Sequence, residues 1–316
     1  MIQSILNQSY TDWELLLIDD GSKDGSPEIC DRYAHSDDRI RVKHCPNRGV
    51  ATARNEGLKM MRGGYLTFCD SDDWADSLWL EKLYETLVEQ GADIVICDYY
   101  EEYTTKTVTK GVCDGSLDIL NREEAIIQTF ANNIPSCLWT MLMKREVVTE
   151  SFSDYRMHED YATLFKWMTC LNKVVRLHTP LYHYRQLESS IVHTCPEKNN
   201  LDFINATIER YHYLSMDLLS VPSVEVINFY YVEALLRASK NLVRSGLEDG
   251  MKRHYLEKIA TELHSVSAPP LLRKLGLKYY LRYRLLLSST HLFKSCVGNT
   301  GIFSLRHNRA YKNLFK

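Results

Sequence analysis

Two short apolar runs near the start of the chain each end in a cluster of aspartates, and this pairing constrains the fold most. Glu14-Leu15-Leu16-Leu17-Ile18 runs into Asp19-Asp20-Gly21-Ser22, and Tyr65-Leu66-Thr67-Phe68-Cys69 runs into Asp70-Ser71-Asp72-Asp73-Trp74. An uninterrupted apolar run closed by Asp and Gly is the pattern of a strand buried on both faces, as in a parallel sheet. Helical patterns fill the gaps: Asp24 to His35, Gly49 to Met61, and Asp76, as N-cap, to Gln90 with Gly91 as the stop. Arg39 to His44 and Ala92 to Cys97 read as further strands. Alternation at this spacing predicts an α/β fold with right-handed crossovers and a mostly parallel, Rossmann-like sheet.

The second half reads differently. Glu123 to Ala131 and Tyr161 to Leu171 are expected helices, and Val174 to Leu177 a short strand. From about Leu201 the pattern is mainly helical, with Tyr230 to Arg244 the clearest case, and Pro269-Pro270 marks a linker. The expected organisation is a first unit over 1–200 and a helical C-terminal region over 201–316. Charge divides further on, at residue 251. The chain carries 38 Lys+Arg and 41 Asp+Glu, but from Met251 to Lys316 there are 13 basic and 2 acidic residues. An acidic front suits a divalent cation, and a basic tail suits an anionic surface. Over 271–288, Leu272, Leu275, Tyr279, Tyr283 and Leu286 share one helical face, with Arg273, Lys274, Lys278, Arg282 and Arg284 opposite. That is the pattern of a helix lying on an anionic membrane surface, or of a surface helix packed on its own domain.

Other classes are excluded or unsupported. No apolar run reaches the roughly 18 residues of a membrane span, and the N-terminus has no signal-peptide pattern. The nine cysteines are scattered, with no CxxC spacing, so reduced thiols are expected. No dinucleotide G-x-G-x-x-G, P-loop, H-E-x-x-H or G-x-S-x-G motif is present.

In open parallel sheets, ligands bind beyond the carboxyl ends of the strands, where both acidic clusters fall. Carboxylates this close repel one another and resist joint ionisation unless a cation sits among them. Asp70 and Asp72 point the same way in extended backbone, which suits Mg²⁺ or Mn²⁺ held by few carboxylates and several phosphate oxygens. Aspartates also favour turns and caps, so either cluster alone would say less than the two together.

These residues carry a family resemblance. Ser4-Ile5-Leu6-Asn7-Gln8-Ser9-Tyr10-Thr11-Asp12-Trp13-Glu14-Leu15, followed by Asp19-Asp20-Gly21-Ser22-Lys23-Asp24-Gly25-Ser26, resembles the opening of family 2 glycosyltransferases of GT-A fold. Asn47-Arg48-Gly49-Val50-Ala51-Thr52-Ala53-Arg54-Asn55-Glu56-Gly57-Leu58 is similar to the segment before that family's D-x-D strand, and Asp70-Ser71-Asp72-Asp73 to its D-x-D region. His158-Glu159-Asp160 resembles its E-D motif, and Pro180-Leu181-Tyr182-His183-Tyr184-Arg185 a later segment of bacterial members.

The resemblance implies an inverting, metal-dependent glycosyltransferase (hexosyl or similar). It would move a sugar from a nucleotide-diphosphate donor, expected to be a UDP-sugar, to a glycan or lipid-linked acceptor in bacterial surface polysaccharide synthesis. It implies that Asp20 contacts the nucleotide base, Asp70 the ribose and sugar, and Asp72 the Mg²⁺ or Mn²⁺ on the diphosphate. Asp160 would be the general base with Glu159 beside it, and Arg54 and Arg185 are candidate donor contacts. The implied location is cytoplasmic, peripheral at the inner face of the membrane through 271–288, with no nucleic-acid partner. Members usually open with a strand ending in Pro-x-Tyr-Asn; here Met1 falls inside the helix after it, so that strand and its nucleotide contacts are expected to be missing. A non-catalytic remnant or scaffold that binds a partner or membrane is therefore the alternative.

Overall fold

A computed structural model describes residues 1–187, 196–214, 219–266 and 277–299. The Pro269-Pro270 linker and the first residues of the 271–288 helix lie outside them. In chain order the elements are α1 (Ile2–Leu6), β1 (Leu15–Asp19), α2 (Ser26–Ser36), β2 (Ile40–His44), α3 (Val50–Met60), β3 (Tyr65–Leu66), β4 (Trp74–Ala75) and α4 (Trp79–Gln90). Then come β5 (Ile94–Tyr103), β6 (Lys106–Lys110), β7 (Leu117–Asn121), α5 (Arg122–Phe130), β8 (Met141–Lys144), α6 (Glu159–Met168) and β9 (Lys173–Arg185). The helical region holds α7 (Pro196–Tyr213), α8 (Val221–Arg244), α9 (Asp249–Ser265), α10 (Leu277–Ser288) and α11 (Thr290–Asn299).

The α/β class is as expected, but the sheet is mixed rather than mostly parallel. β1 and β2 form a parallel pair of their own, and seven strands form a second sheet in the order β3-β8-β5-β9-β4, with β6 on β5 and β7 on β9. Only β5–β9 is parallel in that sheet; its other pairs are antiparallel. The β5–β6 hairpin is one source of the difference, since Lys106–Lys110 returns directly along β5 instead of crossing over, and β3, β4, β7 and β8 also join antiparallel.

Local chemistry explains the boundaries. Gly91 stops α4 in the left-handed conformation at φ 59°, and the Ala92 amide donates to the Leu87 carbonyl. Asp76 is not the N-cap of α4, which begins at Trp79; its carboxylate instead accepts the Leu78 amide at 2.9 Å. Asn121 and Glu124 form a reciprocal capping box at the start of α5. The strand at Val174 extends to Arg185, and Pro180 sits where the β5–β9 register shifts, at the one kind of place a sheet interior tolerates a residue without an amide proton.

Three apolar clusters hold the fold. Ile5, Trp79, Leu83, Val95 and Tyr182 pack on the α4 side of the sheet. Ile94, Ile96, Met141, Leu164 and Trp167 pack on the other side and reach Ile227 of α8. Leu235, Leu236, Ile259, Leu286 and Phe293 form the core of the helical region. Tyr283 and Leu286 of α10 lie in that last core, and Arg282 is also buried, so α10 does not carry all its basic residues on an open face. No helix among the described residues is long and apolar enough to cross a membrane.

Candidate active site

The site is built from the ends of β1 and β3, the start of α3 and the start of α6. Asp20 follows β1 and accepts the Arg48 and Gly49 amides, each at 2.8 Å. This carboxylate pins the turn that begins α3, where Gly49 holds φ 94°. Its neighbour Asp19 is buried and accepts a hydrogen bond from His44 at 2.8 Å and from the Ser22 amide at 2.9 Å. Burial opposes ionisation of Asp19, but those hydrogen bonds and the imidazole hold its pKa below the usual value.

With α3 fixed, Arg54 reaches across the cleft. Its guanidinium donates to Glu159 and lies 3.4 Å from Asp70. The Phe68 and Phe152 rings flank it at 5.7 and 5.6 Å from their centroids. One cation thus ties the D-x-D loop to the first residue of α6.

Phe68, Cys69 and the aspartates that follow leave the sheet instead of completing the expected strand to Cys69. The Asp70 amide donates to the Tyr182 hydroxyl at 3.1 Å, and that hydroxyl donates to Asp73 Oδ2 at 3.0 Å. The Arg185 amide donates to Asp73 Oδ1 at 2.8 Å. Asp73 is wholly buried, and desolvation, with repulsion from Asp72 and Asp70 adding to it, pushes its pKa up to about 7 despite those donors. The loop is therefore fastened to β9 from beneath, and Asp72 is left exposed above it.

Four acids share the cleft with Arg54. Asp70 keeps 40% of its side chain open to the cleft, yet its pKa is raised, first by desolvation and then by Asp72 and Asp160. Glu159 is buried and pushed up to about 7 by desolvation and by Asp160. Desolvation also raises Asp160, and Arg54 opposes the rise. Asp160 Oδ1 accepts the Tyr161 amide at 2.6 Å.

The structure brings Asp70, Asp72, Glu159, Asp160 and Arg54 together. It sets Asp20 at the root of α3, occupied by backbone amides. Arg185 meets the site through its amide, while its exposed side chain lies 5.2 Å from the Trp74 ring centroid. No group of three His, Cys, Asp or Glu among the described residues is arranged to hold a metal on its own. The acids nevertheless outnumber Arg54, the cation that bridges them, and Asp72 has no protein partner among the described residues. That fits a cation held by one or two carboxylates and completed by phosphate oxygens, the usual habit of Mg²⁺.

Asp73 and Tyr182 were missed as a pair by sequence reasoning. Both stand inside quoted segments, but nothing in the sequence says that residue 182 passes beneath residue 73.

Comparison with known proteins bears on the family and the fold. Residues 1–152 match the family described as glycosyl transferase family 2. The chain is 33% identical over 213 residues to the glycosyltransferase GlyG of Streptococcus pneumoniae, covering 61% of this chain and 67% of that one. It is 31% identical over 205 residues to the putative glycosyltransferase EpsH of Bacillus subtilis, covering 62% of this chain and 59% of that one. The chain thus spans about three fifths to two thirds of the length of these relatives. The crystal structure of Staphylococcus aureus TarS 1–349 in complex with UDP-GlcNAc superposes with a TM-score of 0.73 at 16% identity, covering 94% of this chain and 85% of that one. At that identity the likeness concerns the fold, an α/β unit followed by helices.

Proposed function

The chain belongs to glycosyltransferase family 2, and on that premise we propose that it transfers a sugar from a nucleotide-diphosphate donor to an acceptor hydroxyl with inversion. One observation carries the reading: Arg54 gathers Asp70 and the Glu159-Asp160 pair into one cleft while Asp72 stands free at its rim. Charge of this density suits a polyphosphate only through a cation.

In this reading Asp72 holds Mg²⁺ or Mn²⁺ and Asp70 faces the ribose and sugar. When bound, the metal neutralises the charge that develops on the leaving diphosphate. Asp20 acts at one remove from the base, by fixing the start of α3. Asp160 is the general base. Its Oδ2 accepts the proton of the acceptor hydroxyl; the oxygen bonds to the anomeric carbon; the bond from that carbon to the diphosphate oxygen breaks, and the nucleotide diphosphate leaves. Glu159 keeps Arg54 in place, so it supports Asp160 rather than sharing its task. Arg185 contributes its amide to the loop and, through its exposed guanidinium, a candidate donor contact.

A UDP-sugar donor is supported by the TarS neighbour, whose crystal structure is in complex with UDP-GlcNAc. A glycan or lipid-linked acceptor in bacterial surface polysaccharide synthesis is supported by relatives such as the putative teichuronic acid biosynthesis glycosyltransferase TuaG of Bacillus subtilis, 29% identical over 222 residues. We place the catalytic unit over 1–200 and the helical region over 201–316, working at the cytoplasmic face of the membrane. A surface contact through 271–288 would use the side of α10 bearing the exposed Leu281 and Arg284, because Tyr283 and Leu286 are in the core.

The test is Asp160→Asn assayed with a panel of UDP-sugars and, separately, for UDP binding. Transfer is expected to vanish with binding retained. Substantial transfer by the variant rejects the base assignment. UDP binding without transfer by the unmodified chain, over the whole panel, would favour a non-catalytic scaffold.

A further inference from the structure

His158, immediately before Glu159-Asp160, holds φ 64° and ψ 23°, a left-handed backbone that side chains with a Cβ disfavour. Such a residue persists only where its surroundings over-determine it. Part of those surroundings comes from α7, in the helical region. We propose that Asp202 and Phe203 of α7 are positioning residues that hold the His158 corner, and with it Asp160, in the orientation the transfer step needs. The proposal rests on the assignment of Asp160 as general base.

Two contacts act on the corner directly. Asp202 Oδ2 accepts the Met157 amide at 3.1 Å, fixing the residue before the corner. The Phe203 ring packs against both His158 and Tyr161, each with ring centroids 5.4 Å apart, so it braces the corner and the first turn of α6 together. The His158 carbonyl then accepts the Ala162 amide at 2.9 Å, which starts the helix.

The same face of α7 continues the grip. Residues 202, 203, 206, 209 and 210 recur at helical spacing and form one stripe. Glu209 accepts the Tyr155 hydroxyl at 2.8 Å and pairs with Lys166 of α6 at 2.6 Å. Arg210 is fully buried, with its guanidinium 3.8 Å from the Tyr161 ring centroid and a hydrogen bond to the Thr129 carbonyl at 3.1 Å. These outer contacts dock the helix, while Asp202 and Phe203 meet the corner itself.

The test uses the full chain and three variants: Asp202→Ala, Asp202→Asn, and Asp202→Ala combined with His158→Gly. Asp202→Ala is expected to lower kcat at least about tenfold, as small displacements of a catalytic group do, while donor KM changes less than about twofold. Glycine adopts the left-handed conformation without steric strain, but the ring that Phe203 packs against is lost, so His158→Gly is expected to return part of the lost kcat. Asp202→Asn keeps an acceptor oxygen and is expected to stay within about threefold of the unmodified chain. Amide hydrogen exchange at 157–161, read without donor or acceptor, should speed up in Asp202→Ala and slow again in the double variant. Unchanged exchange in Asp202→Ala, or a kcat loss that His158→Gly does not reduce, overturns the proposal. So does an Asp202→Asn variant as impaired as the alanine. Full transfer by Asp160→Asn would instead remove the base assignment, and the exchange result would still report on the corner.

Discussion

The rim of the seven-stranded sheet buries Asp73 and Glu159, whereas the core of the helical region buries Leu235, Leu236, Ile259 and Phe293. In the rim, each acid is held by a few donors against desolvation and against its neighbours, and the pKa values of Asp73 and Glu159 rise to about 7 as a result. In the helical core, apolar side chains gain stability from burial itself. The contrast teaches that the rim is arranged to present charge and the helical region to hold an orientation. The contact between them, at α6 and α7, is where one depends on the other.

The largest separation between the regions is expected in rate. Asp160→Asn should lower kcat by the 10²–10⁴-fold typical of a lost general base, with a thermal midpoint no lower than that of the unmodified chain, because a repelling carboxyl is gone. A rim variant that lost stability in step with activity would blur the contrast. Leu235→Ala should do the reverse in the helical core, where Leu235 has no exposed surface. It should cost about 2–5 kcal/mol in denaturant unfolding, with donor KM unchanged in the folded fraction. Smaller again, Tyr182→Phe removes the hydroxyl between Asp70 and Asp73. We expect about 1–3 kcal/mol of lost stability and weaker UDP binding, read by unfolding and titration calorimetry.

The smallest effect sharpens the account of the rim through pH. Asp73 and Glu159 have folded pKa values of about 7, above their ordinary 3.8 and 4.5, so between those limits the folded chain binds more protons than the unfolded one. Stability from these two groups is present at low pH and declines as pH rises through about 4.5 to 7. Asp37 and Glu56, lowered to about 2 by their Arg39 and Lys43 partners, act oppositely and below that window. Asp73→Asn should flatten part of the decline in unfolding free energy measured between pH 5 and 7. An unchanged slope would show that Asp73 titrates normally.

Much of the rim was legible in the sequence. Apolar runs closed by Asp marked β1 and the D-x-D loop, Gly91 marked the end of α4, and the quoted segments led to Arg54, Glu159 and Asp160. What was not legible depends on long-range geometry. Residues 54 and 159 meet through a side chain spanning the cleft, and residues 73 and 182 meet only because β9 runs past Pro180. Periodicity gave the 271–288 helix a basic face, but Arg282 is buried there, with its guanidinium 5.8 Å from the Tyr279 ring centroid. Spacing shows which residues share a side of a helix; it does not show which side its neighbours cover.

The most direct measurement is UDP affinity by titration calorimetry, with Mn²⁺ and with chelator, for the unmodified chain and Asp72→Asn. A cleft that grips a diphosphate through a cation predicts binding at least about tenfold tighter with Mn²⁺, a gain of some 1.4 kcal/mol that Asp72→Asn abolishes. Equal affinity with and without the metal, or a gain that survives Asp72→Asn, would contradict it.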